Sequence, residues 1–161
     1  MILIALGANL PSECGPPAAT LAAALGRLEA LGLNIVSVSS FYKSPAWPDP
    51  SDPPFVNAVA AIRTGLQPAE LLGLLHRVET EFGRMRSVPN APRTLDIDLI
   101  DQDGIVRYGD VVLPHPRMAD RSFVLAPLAE IAPGWRHPVT GESAGEMLAR
   151  LPDRDVPERL S

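Results

Sequence analysis

The stretch "PRTLDIDLI", residues 92–100, places two carboxylates inside an apolar run. Successive side chains of a β-strand point to opposite faces, so Asp96 and Asp98 would share one face while Ile97 and Leu99 share the other. The rise of a strand sets the two aspartates about 7 Å apart. Because an unpaired buried carboxylate costs several kcal/mol, we expect the apolar face to enter the core and the acidic face to open outward.

The segments on either side of this strand alternate between strand and helix patterns. Short β-branched and apolar runs indicate strands, and apolar residues at helical spacing after a proline indicate helices. The predicted strands are residues 2–6, 33–42, 55–64 and 94–101, and the predicted helices run from Pro16 to Gly32 and from Gln67 to Phe82.

This order, β-α-β-β-α-β, is typical of a ferredoxin-like α+β sandwich. A C-terminal extension follows, with helical patterns at 123–131 and 143–150. The length suits one domain over residues 1–161. We expect the charged tail after about residue 152 to fray.

Composition narrows the class of protein. The chain has 161 residues, is 46% hydrophobic and carries a net charge of −5, which argues against a nucleic-acid partner. Cys14 is the only cysteine, so no intrachain disulfide can form. The apolar N-terminus is short and lacks a basic leader, and no apolar run approaches the roughly 20 residues of a membrane span. We therefore expect a cytoplasmic protein with no membrane partner.

Two carboxylates on one strand face can hold Mg²⁺, which prefers one or two carboxylates plus water and substrate phosphates. Five arginines flank the pair in sequence and can neutralise phosphate oxygens: Arg84, Arg86, Arg93, Arg117 and Arg121. A short acidic pair is also common at a solvated edge or in ion pairs, and that alternative stays open here. The sequence has no P-loop, nucleophile-elbow or zincin motif.

Two further patterns suggest ligand contacts. Phe55 and Asn57 are two residues apart on a predicted strand, so they share a face and can stack on and hydrogen-bond a flat heterocycle. Leu72, His76 and Glu79 share a helix stripe that can cover an adenosine. The alternatives are an ordinary core aromatic for Phe55 and a solvated face for the stripe.

Six segments together carry a resemblance to a known family: "LGANL", "SFYKSPAW", "FVNAV", "E-x-x-x-GRMR", "PRTLDIDL" and "LPHPRMADRSFVLAPL". In this order they resemble the 6-hydroxymethyl-7,8-dihydropterin pyrophosphokinases of folate biosynthesis. The resemblance implies a ferredoxin-like fold and transfer of pyrophosphate from ATP to the hydroxymethyl oxygen of the pterin, with release of AMP.

The resemblance also assigns roles to residues. Asp96 and Asp98 match the ligands of two Mg²⁺ ions, and the implied catalytic set is Arg84, Arg93, Asp96 and Asp98. Contacts to ATP, the co-substrate, are implied for Leu72, His76, Glu79, Arg84, Arg86, Arg93, Leu99, His115 and Arg121. Contacts to the pterin are implied for Ser44, Pro45, Trp47, Phe55, Asn57, Asp96 and Phe123.

The chain departs from the family pattern in places. His76 stands where a glutamine is common, and Asn90 and Ala91 replace a common Trp-Gly in a loop, 86–92, that is one residue shorter than in some relatives. The rival hypotheses are a non-catalytic nucleotide- or pterin-binding regulatory domain and an RNA-binding domain of similar topology. An aromatic content of 5% and the acidic net charge argue against the second. The family expectation is a monomer.

Overall fold

A computed structural model describes residues 1–46, 49–83, 94–152 and 157–160. Its strands are β1 (Ile2–Ala8), β2 (Asn34–Val38), β3 (Tyr42–Ser44), β4 (Phe55–Arg63), β5 (Asp96–Gln102) and β6 (Glu158–Arg159). Its α-helices are α1 (Pro17–Ala30), α2 (Pro68–Glu81), α3 (Ser122–Ile131) and α4 (Ala144–Ala149), and a single 3₁₀ turn covers Met118–Asp120. None of the helices in these ranges is long and apolar enough to cross a bilayer.

The strands form one antiparallel sheet in the order β5-β1-β4-β3-β6, with β2 also paired to β4. Strand β1 therefore lies between β4 and β5, and every residue from Ile2 to Ala8 is buried. This explains why "ILIAL" is continuously apolar instead of alternating: both faces of a central strand are covered. The fold is thus a mixed α/β arrangement built on an antiparallel sheet.

Helices cover both faces of the sheet. Ile2, Ile4 and Leu6 pack with helices α1 and α2 in one core cluster. Leu3 and Ala5 point to the opposite face and pack with helices α3 and α4 in a second cluster. The C-terminal extension therefore supplies one of the two core layers, and is not a peripheral addition to the sheet.

The single strand predicted at 33–42 is wrong, because two separate strands, β2 and β3, lie there and each pairs with β4. Pairing slips between Ile35 and Ser37, and the Ser39 hydroxyl accepts a hydrogen bond from the Val59 backbone N–H at 3.0 Å. The carboxylate of Glu130, on α3, accepts from the backbone N–H of Ser40 at 2.8 Å. These bonds give acceptors to the backbone N–H groups of Val59 and Ser40 at the interruption between β2 and β3.

The tail also differs from the prediction. The described residues 157–160 lie against the sheet, where strand β6 pairs Glu158 with Lys43 and Arg159 with Tyr42. The Leu160 backbone N–H donates to the Phe41 carbonyl at 2.8 Å. Hydrogen bonds to β3 therefore hold residues 158–160 in place.

Candidate functional site

The two aspartates of β5 face a cleft on the side of the sheet that also carries α3. Asp96 and Asp98 line the cleft, whereas Ile97 and Leu99 are buried in the core cluster beneath α1 and α2. The strand alternation predicted from "LDIDL" is confirmed. The Leu99 side chain points away from the cleft, so the nucleotide contact implied for it can only come from its backbone.

This cleft, with a volume of about 160 Å³, brings together residues from both halves of the predicted site. Besides the aspartates and Arg121, its lining includes most of the residues implied for a heterocycle: Ser44, Pro45, Phe55, Asn57 and Phe123. Phe55 and Asn57 face the same cleft, as their spacing predicts. The lining spans residues from 5 to 124, so the fold gathers distant segments around one space.

The sheet register sets the floor of the cleft. Gly7 pairs with Asn57 on one side and with Asp96 on the other, so these three residues form a row across β4, β1 and β5. Because adjacent strands are about 4.8 Å apart, Asn57 and Asp96 face the cleft from either side of a residue without a side chain. The Asn57 amide nitrogen donates to the Ser44 hydroxyl oxygen at 3.0 Å, which orients the carboxamide.

Arg121 links the acidic strand β5 to the aromatic wall of the cleft, which consists of Phe55 and Phe123. Its Nη1 lies 3.4 Å from Asp98 Oδ2, and its guanidinium carbon lies 5.5 Å from the centre of the Phe123 ring. A guanidinium over an aromatic face gains a cation–π interaction. Arg121 therefore sits between the carboxylates and one of the two rings implied for the pterin.

His115 approaches the same carboxylate from the loop before α3. Its Nε2 lies 4.0 Å from Asp98 Oδ2, and its Nδ1 accepts a hydrogen bond from the Arg117 backbone N–H at 3.1 Å. Burial and the charges of Arg121 and Arg117 lower the pKa of His115 to about 4, against the opposing effect of Asp96. The ring is neutral near pH 7, and the bond to Nδ1 places its proton on Nε2.

The Glu79 side chain is buried against β5 and is not exposed on the helix face that it was predicted to share with Leu72 and His76. Its side chain is only 1% exposed, and Oε2 accepts a hydrogen bond from the Ile97 backbone N–H at 2.8 Å. Leu72 packs partly against the core beneath α2, and His76 is half-buried on the same helix. Neither of these two residues lines the cleft. Glu79 thus holds β5 between its two aspartates, and a solvated face does not describe this stripe.

Some predicted residues lie outside the described ranges: Trp47, Arg84, Arg86 and Arg93. Gly7 lines the cleft although the sequence predicts no role for it, and Arg117, one of the five arginines predicted to neutralise phosphate oxygens, lines it as well. The "LGANL" segment and the Pro-Arg pair after His115 were the available signals. Neither motif alone shows which face its residues would occupy.

The donor set of the cleft fits Mg²⁺. Asp96 and Asp98 are both half-buried in its wall, and within the described ranges no cluster of three or more His, Cys, Asp or Glu side chains forms a fuller cage. Mg²⁺ commonly keeps several waters and binds through one or two carboxylates together with substrate phosphates. Two carboxylates opening into a cleft with arginines suit a metal–polyphosphate ligand better than a structural zinc site.

Comparisons with known proteins all identify the same family. A sequence profile of the 7,8-dihydro-6-hydroxymethylpterin-pyrophosphokinase family matches residues 3–133. A 2-amino-4-hydroxy-6-hydroxymethyldihydropteridine pyrophosphokinase of Methylorubrum extorquens is 41% identical over 145 residues, 89% of this chain and 90% of that protein. Its namesake from Pseudomonas aeruginosa is 39% identical over 161 residues, 99% of this chain and 96% of that protein.

The fold has counterparts among solved structures. The crystal structure of wild-type HPPK-DHPS from Plasmodium falciparum superposes with a TM-score of 0.71 at 13% sequence identity. The match covers 92% of this chain and 40% of that longer one. At this level of identity the likeness concerns the fold alone.

Proposed function

We propose a role for each wall of the cleft from the premise that the chain belongs to the 7,8-dihydro-6-hydroxymethylpterin-pyrophosphokinase family. The protein transfers pyrophosphate from ATP to the hydroxymethyl group of 6-hydroxymethyl-7,8-dihydropterin and releases AMP, a step in folate synthesis. The relatives' names favour this activity over the binding-only alternative. The observation that carries the assignment of roles is that the acidic pair and the ring-binding residues line one cleft.

In the reaction, the hydroxymethyl oxygen attacks the β-phosphorus of ATP. The bond from the β-phosphorus to the oxygen shared with the α-phosphate breaks, and AMP leaves with that oxygen. Asp96 and Asp98 are proposed to hold two Mg²⁺ ions, which when bound neutralise phosphate oxygens and make the β-phosphorus more electrophilic. The half-buried carboxylates and their position beside Arg121 support this role.

The aromatic wall is proposed to bind the pterin. Phe55 and Phe123 would stack on the ring, while the Asn57 carboxamide, held by Ser44, would hydrogen-bond its edge. Pro45 lies beside them in the cleft lining. The backbone near Trp47, outside the described ranges, is proposed to read the same ring. This arrangement would place the hydroxymethyl group toward Asp96, across Gly7.

The nucleotide is proposed to lie on the β5 and α2 side, in contact with Leu72, His76, Glu79, the Leu99 backbone, His115 and Arg121. Neutral His115, with its proton on Nε2, can donate to a phosphate oxygen or a sugar hydroxyl. Arg84, Arg86 and Arg93 are proposed to reach the phosphates from the segment before β5. Arg84 and Arg93 would stabilise the charge that develops in the transition state.

We also propose a ferredoxin-like classification, cytoplasmic action and a monomeric state. If β2 and β3 count as one strand, the order β5-β1-β4-β2/β3 with α1 and α2 on one face supports the classification. ATP, a cytoplasmic metabolite, supports the location. Light scattering would test the monomer, which stays a prediction.

Product analysis tests the function. Purified protein with Mg-ATP and the pterin should form AMP only when the pterin is present, together with a pterin diphosphate. ADP would mean transfer of a single phosphoryl group and would overturn the attack at the β-phosphorus. Binding of the pterin without any nucleotide product would favour a regulatory domain.

A further inference from the structure

Among the described residues, two arginines, Arg117 and Arg121, line the cleft beside the acidic pair. They differ in what their guanidinium groups already contact. Arg121 is engaged by Asp98 at 3.4 Å and lies over the Phe123 ring. The hydrogen bonds of Arg117 are made by its backbone: its N–H donates to His115 Nδ1, and its carbonyl accepts from the Asp120 backbone N–H. No ion pair to a carboxylate of the described ranges involves its side chain.

The backbone that carries Arg117 is well fixed. The His115 backbone N–H donates to the Ile100 carbonyl at 2.8 Å, which ties this loop to β5. The next residue along, Met118, is fully buried in the core beneath α3. Arg117 is therefore an exposed side chain on an anchored segment, and its guanidinium can reach the cleft without reorganisation of the loop.

The charge of Arg117 acts inside the cleft. Its side chain lines the cleft together with Asp98, which His115 Nε2 approaches at 4.0 Å. The described cleft thus holds two carboxylates and two guanidinium groups, and the Arg121 guanidinium contacts Asp98. If the carboxylates hold cations, Arg117 is a further positive group that has no carboxylate partner within the described part of the chain. A guanidinium in such a position matches a phosphate group, whose oxygens it can bind in a bidentate manner.

The position of Arg117 also indicates which phosphates it would meet. It shares the cleft with Phe55 and Phe123, the rings proposed for the pterin, whereas Leu72 and His76, proposed for the adenosine, lie outside the lining. The group that moves from nucleotide to pterin must pass through this space. In the proposed arrangement, the adenosine and its α-phosphate would lie farther from Phe55 and Phe123.

We propose that the Arg117 side chain binds the diphosphate that is transferred, both as the β- and γ-phosphates of ATP and as the diphosphate of the pterin product. This inference rests on the proposed function, because it assigns a residue to that same site. The side chain and the backbone of Arg117 have separate roles. The backbone N–H holds His115, and the guanidinium holds the diphosphate.

The test compares Arg117→Gln and Arg117→Lys with Arg63→Gln. Arg63 is an exposed arginine at the end of β4 that lies outside the cleft, and its side chain makes no hydrogen bond or ion pair to the described residues, so its loss removes the same charge elsewhere. Calorimetry would measure binding of Mg²⁺ with α,β-methylene-ATP, of Mg²⁺ with inorganic pyrophosphate, and of AMP. Because substitution keeps the backbone N–H, the hydrogen bond to His115 is retained in every variant.

We expect Arg117→Gln to raise the Kd for the methylene analogue and for pyrophosphate about tenfold, as for the loss of one charged hydrogen bond. The lysine variant should fall between it and the wild type. AMP binding, and all affinities of Arg63→Gln, should stay within about twofold of the wild type. Thermal melting of each variant checks that it folds.

Unchanged affinities in Arg117→Gln would overturn the proposal, as would an equal loss of AMP affinity, which would move the contact to the α-phosphate. Weaker binding of pyrophosphate alone would limit the contact to the product-like state and overturn the claim for ATP. If the wild type forms no AMP, the proposed function fails instead. If it forms AMP while Arg117→Gln binds normally, only this inference fails.

Discussion

Gly7 and Asn57 are paired across β1 and β4 so closely that a Cβ added at Gly7 would stand 2.6 Å from the Asn57 Oδ1 atom. The same carboxamide donates to Ser44 through its nitrogen. Gly7 is thus the residue that lets Asn57 lie along the cleft floor. The glycine is required here by close approach and not by an unusual backbone angle.

Gly7→Ala should therefore weaken pterin binding more than it weakens the fold. The added methyl group meets the end of a side chain, so Asn57 can move at a small cost in stability, but its amide then leaves the position that faces the ring. We expect a rise of about tenfold in the pterin KM, comparable to the loss of one well-placed hydrogen bond at a buried site. Steady-state kinetics with varied pterin measures it.

Gly73→Ala is the matched control, since a Cβ there meets nothing within 4 Å. In the interior of α2 it should stabilise the protein by up to about 1 kcal/mol and leave the kinetics unchanged. A Gly7→Ala enzyme with a normal pterin KM would show that the Asn57 carboxamide does not face the substrate.

Removing either carboxylate charge of β5 should disable turnover. Asp96→Asn and Asp98→Asn keep the side-chain shape but lose the metal affinity, and Asp98→Asn also weakens the contact with Arg121. We expect kcat to fall at least about a hundredfold and the Mg²⁺ concentration for half-maximal rate to rise. Asp110→Asn, an exposed acid paired with Arg107, is the control. A near-normal kcat with unchanged Mg²⁺ dependence would show that these residues do not hold the metal.

Glu79 should act on stability and turnover together. Glu79→Ala leaves the Ile97 N–H without its buried acceptor, which costs about 1–3 kcal/mol in the free energy of unfolding. Because this bond holds β5 between the aspartates, kcat should fall as well. Glu79→Gln keeps an acceptor oxygen and should lose less of both, while the exposed Glu29→Ala should change neither. Urea unfolding and kinetics measure the two effects.

One experimental result would contradict the positioning role of Glu79. A rise in the ATP KM with unchanged unfolding free energy in Glu79→Ala would mean that the carboxylate serves the nucleotide alone and does not hold β5.

The Tyr42–Glu130 contact predicts a pH dependence at alkaline pH. Burial, followed by the hydrogen bond to Glu130 at 2.6 Å and the charge of that carboxylate, raises the pKa of Tyr42 from 10.0 to about 12. A raised pKa gives stability that is fully present below the unfolded value and is lost as the pH rises through the folded one. The contribution of Tyr42 should therefore disappear between pH 10 and about 12.

Thermal melting of Tyr42→Phe against the wild type measures this. The wild type should be more stable at pH 8, and its advantage should shrink across that interval. Tyr108→Phe, at a residue that is 79% exposed, should show no such trend. A constant difference between wild type and Tyr42→Phe up to pH 12 would exclude the link.

Local patterns predicted much of the site. The alternation in "LDIDL" placed Asp96 and Asp98 on one face, and the spacing of Phe55 and Asn57 placed both toward the same cleft. These relationships depend on strand periodicity, which acts over two or three residues. The resemblance to the family then assigned the separate segments that line the cleft to one site.

Longer-range relationships could not be predicted from the sequence. The break between β2 and β3 depends on a bond from Ser40 to Glu130, 90 residues later. The sequence predicted Glu79 on a helix stripe that could cover an adenosine or face solvent. Its acceptor role depends on the backbone of a strand 18 residues away, which helix periodicity does not reveal. The return of the tail as β6 depends on a free edge of β3, which no local pattern reveals.

The central claim is that the two walls of one cleft serve a single reaction. The most direct measurement is a crystal structure of the protein with Mg²⁺, α,β-methylene-ATP and the pterin. We expect the pterin between Phe55 and Phe123, metal ions on Asp96 and Asp98, and the hydroxymethyl oxygen about 3–3.5 Å from the β-phosphorus, in line with the scissile bond. A pterin bound outside this cleft, or phosphates held away from Asp96 and Asp98, would contradict it.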